Sequence, residues 1–195
     1  MSGWTAAVDG AGLALAGSAV LAVRGLPAWE ARVFRAVNRT PGWVTTVCWG
    51  PMQAGAGAAP LVTAAALALH PASRASAPAV ALGGGGAWLT AKVAKHLVGR
   101  GRPATHLREV AVRVGGTNDG RGYVSGHAAV ATALAATLSP QLSAGGRVAA
   151  AALVAVVGFA RIQNGSHLPL DVIGGAGLGL LVGALGPHGG SIGAA

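Results

Sequence analysis

The 195-residue sequence predicts an all-α protein: a bundle of six membrane-spanning helices with a short interfacial amphipathic helix between spans one and two. Three observations predict it. Hydrophobic residues make up 52% of the chain and charged residues only 10%, whereas soluble domains carry about 25% charged residues as polar surface. Several charge-free runs reach the roughly 20 residues that a helix needs to cross about 30 Å of hydrocarbon. The few ionisable groups in or beside those runs gather at one end of them. The mean hydropathy of +0.56 agrees.

The first span is expected over about 5–23, with Asp9 near its start. Residues 28–38 follow, with Trp29, Val33, Phe34 and Val37 set against Glu30, Arg32 and Arg35. That spacing suits a helix lying in the membrane interface, and it offers one wall of a lateral opening for lipids. The second span falls at about 48–69 and the third at about 77–98, where Gly83 to Gly86 allow a neighbouring helix to come close. Residues 99–124 form a polar loop holding Arg100, Arg102, Arg108, Arg113 and Arg121. The remaining spans are expected at about 125–142, 146–162 and 169–187, the last with Gly174, Gly175, Gly177 and Gly179 as a close-packing face. There is no internal repeat or linker, so residues 1–195 read as a single integral-membrane domain.

The formal net charge is +9, and of the fourteen Lys+Arg only Lys92 and Lys95 are lysines. Arginine presents a planar fork of donors that fits phosphate oxygens. The apolar spans exclude a nucleic-acid binder despite the charge. One cysteine, Cys48, excludes an internal disulfide or a cysteine-based zinc cage. No basic stretch precedes the first apolar run, so it does not read as a cleaved signal peptide.

Charges within spans are expensive and tend to mark function. Lys92, Lys95 and His96 lie near the end of span three; Ser125, Gly126 and His127 open span four. Arg161 closes span five, and His167 and Asp171 open span six. Helices of alternating direction put all these groups on one membrane side.

Lys95 and Arg102 are seven apart, on one face if helical geometry continues, and Pro103 then ends the helix. They can point into one cavity or snorkel to the interface. Ser125 and Gly126 sit where a polar loop becomes a helix, and free N–H groups at such a terminus attract anions. Ser125 can equally be only an N-cap. His127 suits a general acid, because imidazole titrates near neutrality, or a packed core histidine. Asp171 lies one turn past His167, with Pro169 between them in the first helical turn. A carboxylate there can accept one imidazole N–H and leave the other nitrogen free to attack. It can also make a purely structural hydrogen bond. Arg161 is placed to hold a phosphate oxygen.

These residues resemble the three motifs of the type 2 phosphatidic acid phosphatase family. The first, Lys, six residues, Arg-Pro, is matched by Lys95 to Arg102-Pro103. The second, Pro-Ser-Gly-His, is matched by Val124-Ser125-Gly126-His127. The third, Ser-Arg, five residues, His, three residues, Asp, is matched by Ala160-Arg161, His167 and Asp171. Val124 stands for proline and Ala160 for serine, and the latter removes one hydrogen bond near the phosphate. The resemblance implies a six-helix membrane enzyme that hydrolyses a lipid phosphate or diphosphate without metal or other cofactor. It implies that His167 attacks phosphorus and forms a phosphohistidine, that Asp171 orients it, and that His127 protonates the leaving oxygen. It also implies that Lys95, Arg102, Ser125, Gly126 and Arg161 bind the phosphate. The partners are then the lipid-phosphate substrate and membrane lipids. Polyprenyl diphosphate, phosphatidic acid, phosphatidylglycerophosphate and phosphorylated prenyl-linked sugars all remain open, as does the oligomeric state. Arg100, Arg108, Arg113 and Arg121 lie outside the motifs; they either attract anionic headgroups or are solvated.

Family habit places the site at the extracytoplasmic face of the plasma (inner) membrane, with both termini inside. The positive-inside rule favours the opposite, because Arg24, Arg32, Arg35 and Arg39 and the arginines of the 99–124 loop lie on the same side as the site, against only Arg74 and Arg147 on the other. The extracytoplasmic placement is the expectation and the cytoplasmic one its alternative. The functional alternative is a catalytically silent lipid-phosphate binder or transporter of the same fold.

Overall fold

The computed structural model describes residues 3–185. Nine α-helices form in it: α1 (Gly3–Val23), α2 (Ala28–Asn38), α3 (Trp43–Met52), α4 (Ala59–Ala68), α5 (Ala77–Val98), the short α6 (Pro103–His106), α7 (Gly126–Leu138), α8 (Ala144–Gln163) and α9 (Pro169–Leu185). Among the described residues there is no strand, only one isolated bridge between Gly101 and Arg121. Prolines sit in the first turns of α4, α5, α6 and α9, where the missing N–H costs no intrahelical bond.

Helix α7 is central and packs against α5, α8 and α9; α1 covers α9, α4 lies on α5, and α3 lies on α8. The α7–α9 contact is made by small residues. A side chain at Gly175, Gly179 or Gly183 would run into the α7 backbone at Ser125, Ala129 or Ala133, so the two helices meet almost main chain to main chain. The sequence-expected glycine face is therefore used, and it extends one turn further to Gly183.

Outside, large apolar side chains such as Leu13, Val47, Leu61, Leu89, Leu97 and Val148 are exposed. Inside, the buried set includes Glu30, Arg100, Gln163, Asn164, Ser166, His167 and Asp171. Apolar surface this extensive has no place in water and matches a hydrocarbon solvent. Among the described residues, two helices are long and apolar enough to cross a membrane by length and composition, Ala6–Val23 and Ala144–Gln163. Helix α5 has 22 residues and carries Lys92 and Lys95 toward its end.

Two expectations change. The single span expected at about 48–69 is broken: α3 ends in a 3₁₀ turn at Gln53–Gly55, and α4 begins only at Ala59. The cause is close packing. A side chain on Gly55 would collide with the His127 backbone at the start of α7, and one on Gly57 with the Trp88 indole. Helix α2 is also turned relative to its expected amphipathic face. Glu30, Ala31, Phe34 and Asn38 are buried, while Trp29 and Val33 point outward.

Candidate active site

The motif residues are carried to one place by four helix ends. Lys95 lies in the last turn of α5, and Gly126 and His127 form the first turn of α7. Arg161 lies in the last turn of α8, and Asp171 in the first turn of α9. The Ser125 N–H donates to the Asp171 carbonyl at 2.7 Å and ties the starts of α7 and α9 together. The Ser166 and His167 N–H groups both donate to the Arg161 carbonyl, which folds the connection 164–168 back over the end of α8.

A cavity of about 270 Å³ opens where these ends meet. Lys95, Arg102, Gly126, His127, Arg161 and His167 line it, together with Gly55, Gly57, Trp88, Ala91, Lys92 and Thr117. Six of the eight sequence-predicted site residues are thus on its wall. The other two stand behind it. Asp171 is fully buried beneath His167. Ser125 is fully buried as the N-cap of α7, with its Oγ accepting from the Ala128 N–H at 3.4 Å.

The cations are held by backbone carbonyls rather than carboxylates. Lys95 Nζ donates to the carbonyls of Gly122 (3.1 Å) and Val124. Arg102 donates through Nε to Asp119 O (2.6 Å) and through Nη1 to Ser166 O (2.8 Å). Arg161 Nη1 donates to Gly115 O at 2.7 Å, and its buried Nε has no protein partner. Carbonyls fix these side chains without cancelling their charge, so the cavity stays positive and donor-rich. That suits an anion with several oxygens.

His167 is 2% exposed. Burial, then the neighbouring Lys95, Arg161, Arg102 and His127, hold its imidazole well below the ordinary value of 6.5, so it is neutral at physiological pH. Its Nδ1 lies 3.6 Å from Asp171 Oδ2 and makes no hydrogen bond. Asp171 instead accepts from Arg100 Nη1 through Oδ1 (3.0 Å) and from the Leu168 N–H through Oδ2 (2.9 Å). The direct imidazole–carboxylate bond expected from the sequence is therefore a near contact in this state. Bonds of this kind are often long until substrate arrives.

Arg100 and Glu30 had no assigned part in the site. Arg100 bridges the two carboxylates, with Nη2 at 2.6 Å from Glu30 Oε2. Burial works against its charge, but the Glu30 hydrogen bond and the field of Asp171 overcome that and raise its pKa. A legible signal existed: Glu30, Phe34 and Asn38 recur at helical spacing, and an acid on that row is either solvated or paired. Arg113 is structural, donating to the carbonyls of Gln163, Asn38 and Thr40, while Arg108 and Arg121 are exposed. Helix α2 contributes nothing to the cavity wall, so it does not form the side of a lateral opening there. A larger groove of about 660 Å³, lined by Thr45, Trp49, Val112 and Val114 among others, has Arg113 as its one charged residue. That arginine is already engaged, so the groove lacks the free donors of the smaller cavity. Among the described residues no three His, Cys, Asp or Glu side chains are grouped to hold a metal ion.

Four helix ends thus converge on a cationic, donor-rich cavity with a buried histidine on its wall. The chain belongs to the PAP2 superfamily, whose family profile matches residues 76–189, more than half of its length. It is similar in fold to LpxE from Aquifex aeolicus, with a TM-score of 0.72 and 22% identity, over 80% of this chain and 93% of that one. It is likewise similar to the first transmembrane PAP2-type phosphatidylglycerolphosphate phosphatase from Bacillus subtilis. There the TM-score is 0.72 and the identity 21%, over 95% of this chain and 94% of that one. No curated protein matches the sequence.

Proposed function

We propose that this chain is an integral-membrane phosphatase that hydrolyses a lipid phosphate or diphosphate without a metal ion, through a phosphohistidine on His167. The observation that carries the reading is the single cavity walled by Lys95, Arg102, Arg161, His127 and a buried, neutral His167. The bundle crosses the bilayer six times, with α3 and α4 forming one interrupted crossing.

The chemistry follows from the placement. Lys95, Arg102, the free donors of Arg161 and the N-terminal N–H groups of α7 take the phosphate oxygens and the charge that builds on them. With Nδ1–H turned toward Asp171, His167 presents the lone pair of Nε2 to phosphorus. The P–N bond forms as the ester or anhydride P–O bond breaks, and His127 gives a proton to the leaving oxygen. Water then attacks phosphorus, His127 takes its proton, the P–N bond breaks, and inorganic phosphate leaves with His167 restored. Membership of the superfamily and the likeness to the Bacillus subtilis phosphatidylglycerolphosphate phosphatase support a lipid phosphate as substrate.

The test is phosphate release by the purified chain from a panel of phosphatidic acid, phosphatidylglycerophosphate and polyprenyl mono- and diphosphates, with chelator present. At least one should be hydrolysed. His167→Ala should lose about 10⁴-fold or more in kcat, as removal of a catalytic nucleophile does. Binding of every lipid with release from none would instead establish the catalytically silent reading.

A further inference from the structure

We propose that Glu30, on the outer helix α2, is a positioning residue for this reaction: it holds Arg100 and the first turn of α9 so that Asp171 stays fixed behind His167. The proposal rests on the assignment of His167 as nucleophile and Asp171 as its orienting carboxylate.

Glu30, Arg100 and Asp171 form a buried row of three charges. The side-chain exposures are 0% for both acids and 2% for the arginine. Glu30 engages Arg100 with both oxygens, Oε2 to Nη2 at 2.6 Å and Oε1 to Nη1 at 3.0 Å. Its Oε1 also accepts from the Leu170 N–H at 2.8 Å, one residue before Asp171. Glu30 therefore holds the guanidinium that touches Asp171 and the backbone that carries it.

The charge arithmetic gives Glu30 a second part. Arg100 and Asp171 alone form a neutral pair, and the carboxylate then offers little to a histidine gaining positive character. With Glu30 the row sums to −1. Every other ionisable group around His167 is basic: Lys95, Arg102 and Arg161 face it from α5, the loop and α8, and His127 from α7. A net negative row on the opposite side of the ring is what favours charge developing on imidazole as its nitrogen bonds to phosphorus. Glu30 does not reach the cavity, so it does not bind phosphate.

The variant Glu30→Gln keeps the shape and removes the charge. In the detergent-solubilised full chain, with its best panel substrate, kcat is expected to fall about tenfold while KM stays within about twofold, because the phosphate-binding cations are untouched. In an Asp171→Asn background the same change should cost less than about twofold, since the residue through which Glu30 acts is already neutral. Equal factors in the two backgrounds would overturn the proposal. So would a loss of kcat that merely tracks the folded fraction, counted from inorganic phosphate bound per chain. If Glu30→Gln does not fold, Glu30→Asp retains the charge one methylene further back. A folded Glu30→Asp with wild-type kcat overturns the proposal, and one with reduced kcat at unchanged KM supports it. His167→Ala is measured alongside: activity remaining there removes the underlying assignment, whereas an inactive His167→Ala beside an unaffected Glu30→Gln removes only the role of Glu30.

Discussion

His167 is a titratable group held in its neutral form by burial and by the cations around it, and that has a consequence for stability as well as for chemistry. In the unfolded chain an imidazole takes up a proton as the pH falls past about 6.5. In the folded chain His167 does not. The unfolded state therefore binds more protons below that pH. The stability linked to His167 is complete above about 6.5 and drains away as the medium is acidified. Replacing His167 with Gln removes the titrating group. The melting temperature of the variant in detergent should fall less between roughly pH 7.5 and 5 than that of the wild type. Parallel curves for the two proteins would show that His167 is protonated in the native state after all. The same burial keeps the Nε2 lone pair available at neutral pH, so one environment serves both properties.

Among elements, α5 rather than α2 supplies the tryptophan on the cavity wall. Trp29 on α2 and Trp88 on α5 are almost equally exposed, at 38% and 37%. Only Trp88 stands on the cavity wall, beside Gly57 and with Lys92 Nζ 3.7 Å from its ring centroid. We infer that a lipid reaching His167 passes the turn between α3 and α4 and the Trp88 face of α5, which line the cavity. Trp88→Ala should reduce turnover of a lipid phosphate at least about fivefold more than turnover of a short water-soluble phosphate ester. Trp29→Ala should change both by less than about twofold, as surface substitutions usually do. Equal effects of the two changes on the ratio of lipid to soluble turnover would sink this assignment. Phe34, on α2, is fully buried among Ala31, Leu107, Ile162 and Leu168; truncating it would report on packing and not on substrate access. The misreading of α2 has a physical cause. Of the charged row, Arg32 and Arg35 stay exposed while Glu30 turns inward to pair with Arg100, and Trp29 and Val33 are exposed as well. Hydrophobic periodicity gives the angle of such a row but not which solvent lies beyond it.

For the whole molecule, the all-helical architecture and the meeting of motif residues were readable from sequence. Spacings such as Lys95 to Arg102 and His167 to Asp171 are local, and alternating helices leave one way to bring them together. What stayed hidden depends on contacts between distant segments. The break in the second span follows from Gly55 meeting His127, and the pairing of Glu30 with Arg100 joins residues 70 positions apart. Orientation is a further property of the whole chain. We infer an extracytoplasmic cavity; the exposed Arg24, Arg32, Arg35 and Arg39 count against it, whereas three arginines of the 99–124 loop do not. Arg100, Arg102 and Arg113 are engaged in buried or backbone contacts, so they are poor topology signals compared with freely solvated loop charges. A reporter fused after Ala195 should be active only if it functions in the cytoplasm; a periplasm-active fusion reverses the placement.

The glycine column of α9 has one more result. His127 rides on the first turn of α7 and Asp171 on the first turn of α9, and the Ser125 N–H to Asp171 carbonyl bond clasps those turns together. Below the clasp, Gly175, Gly179 and Gly183 bring the α9 backbone against that of Ser125, Ala129 and Ala133, with only the Cβ atoms of Ala128, Thr132 and Ala136 beside them. The gap between the turns that carry His127 and Asp171 is thus gauged mostly by main chain, like a caliper with little soft padding in its jaws.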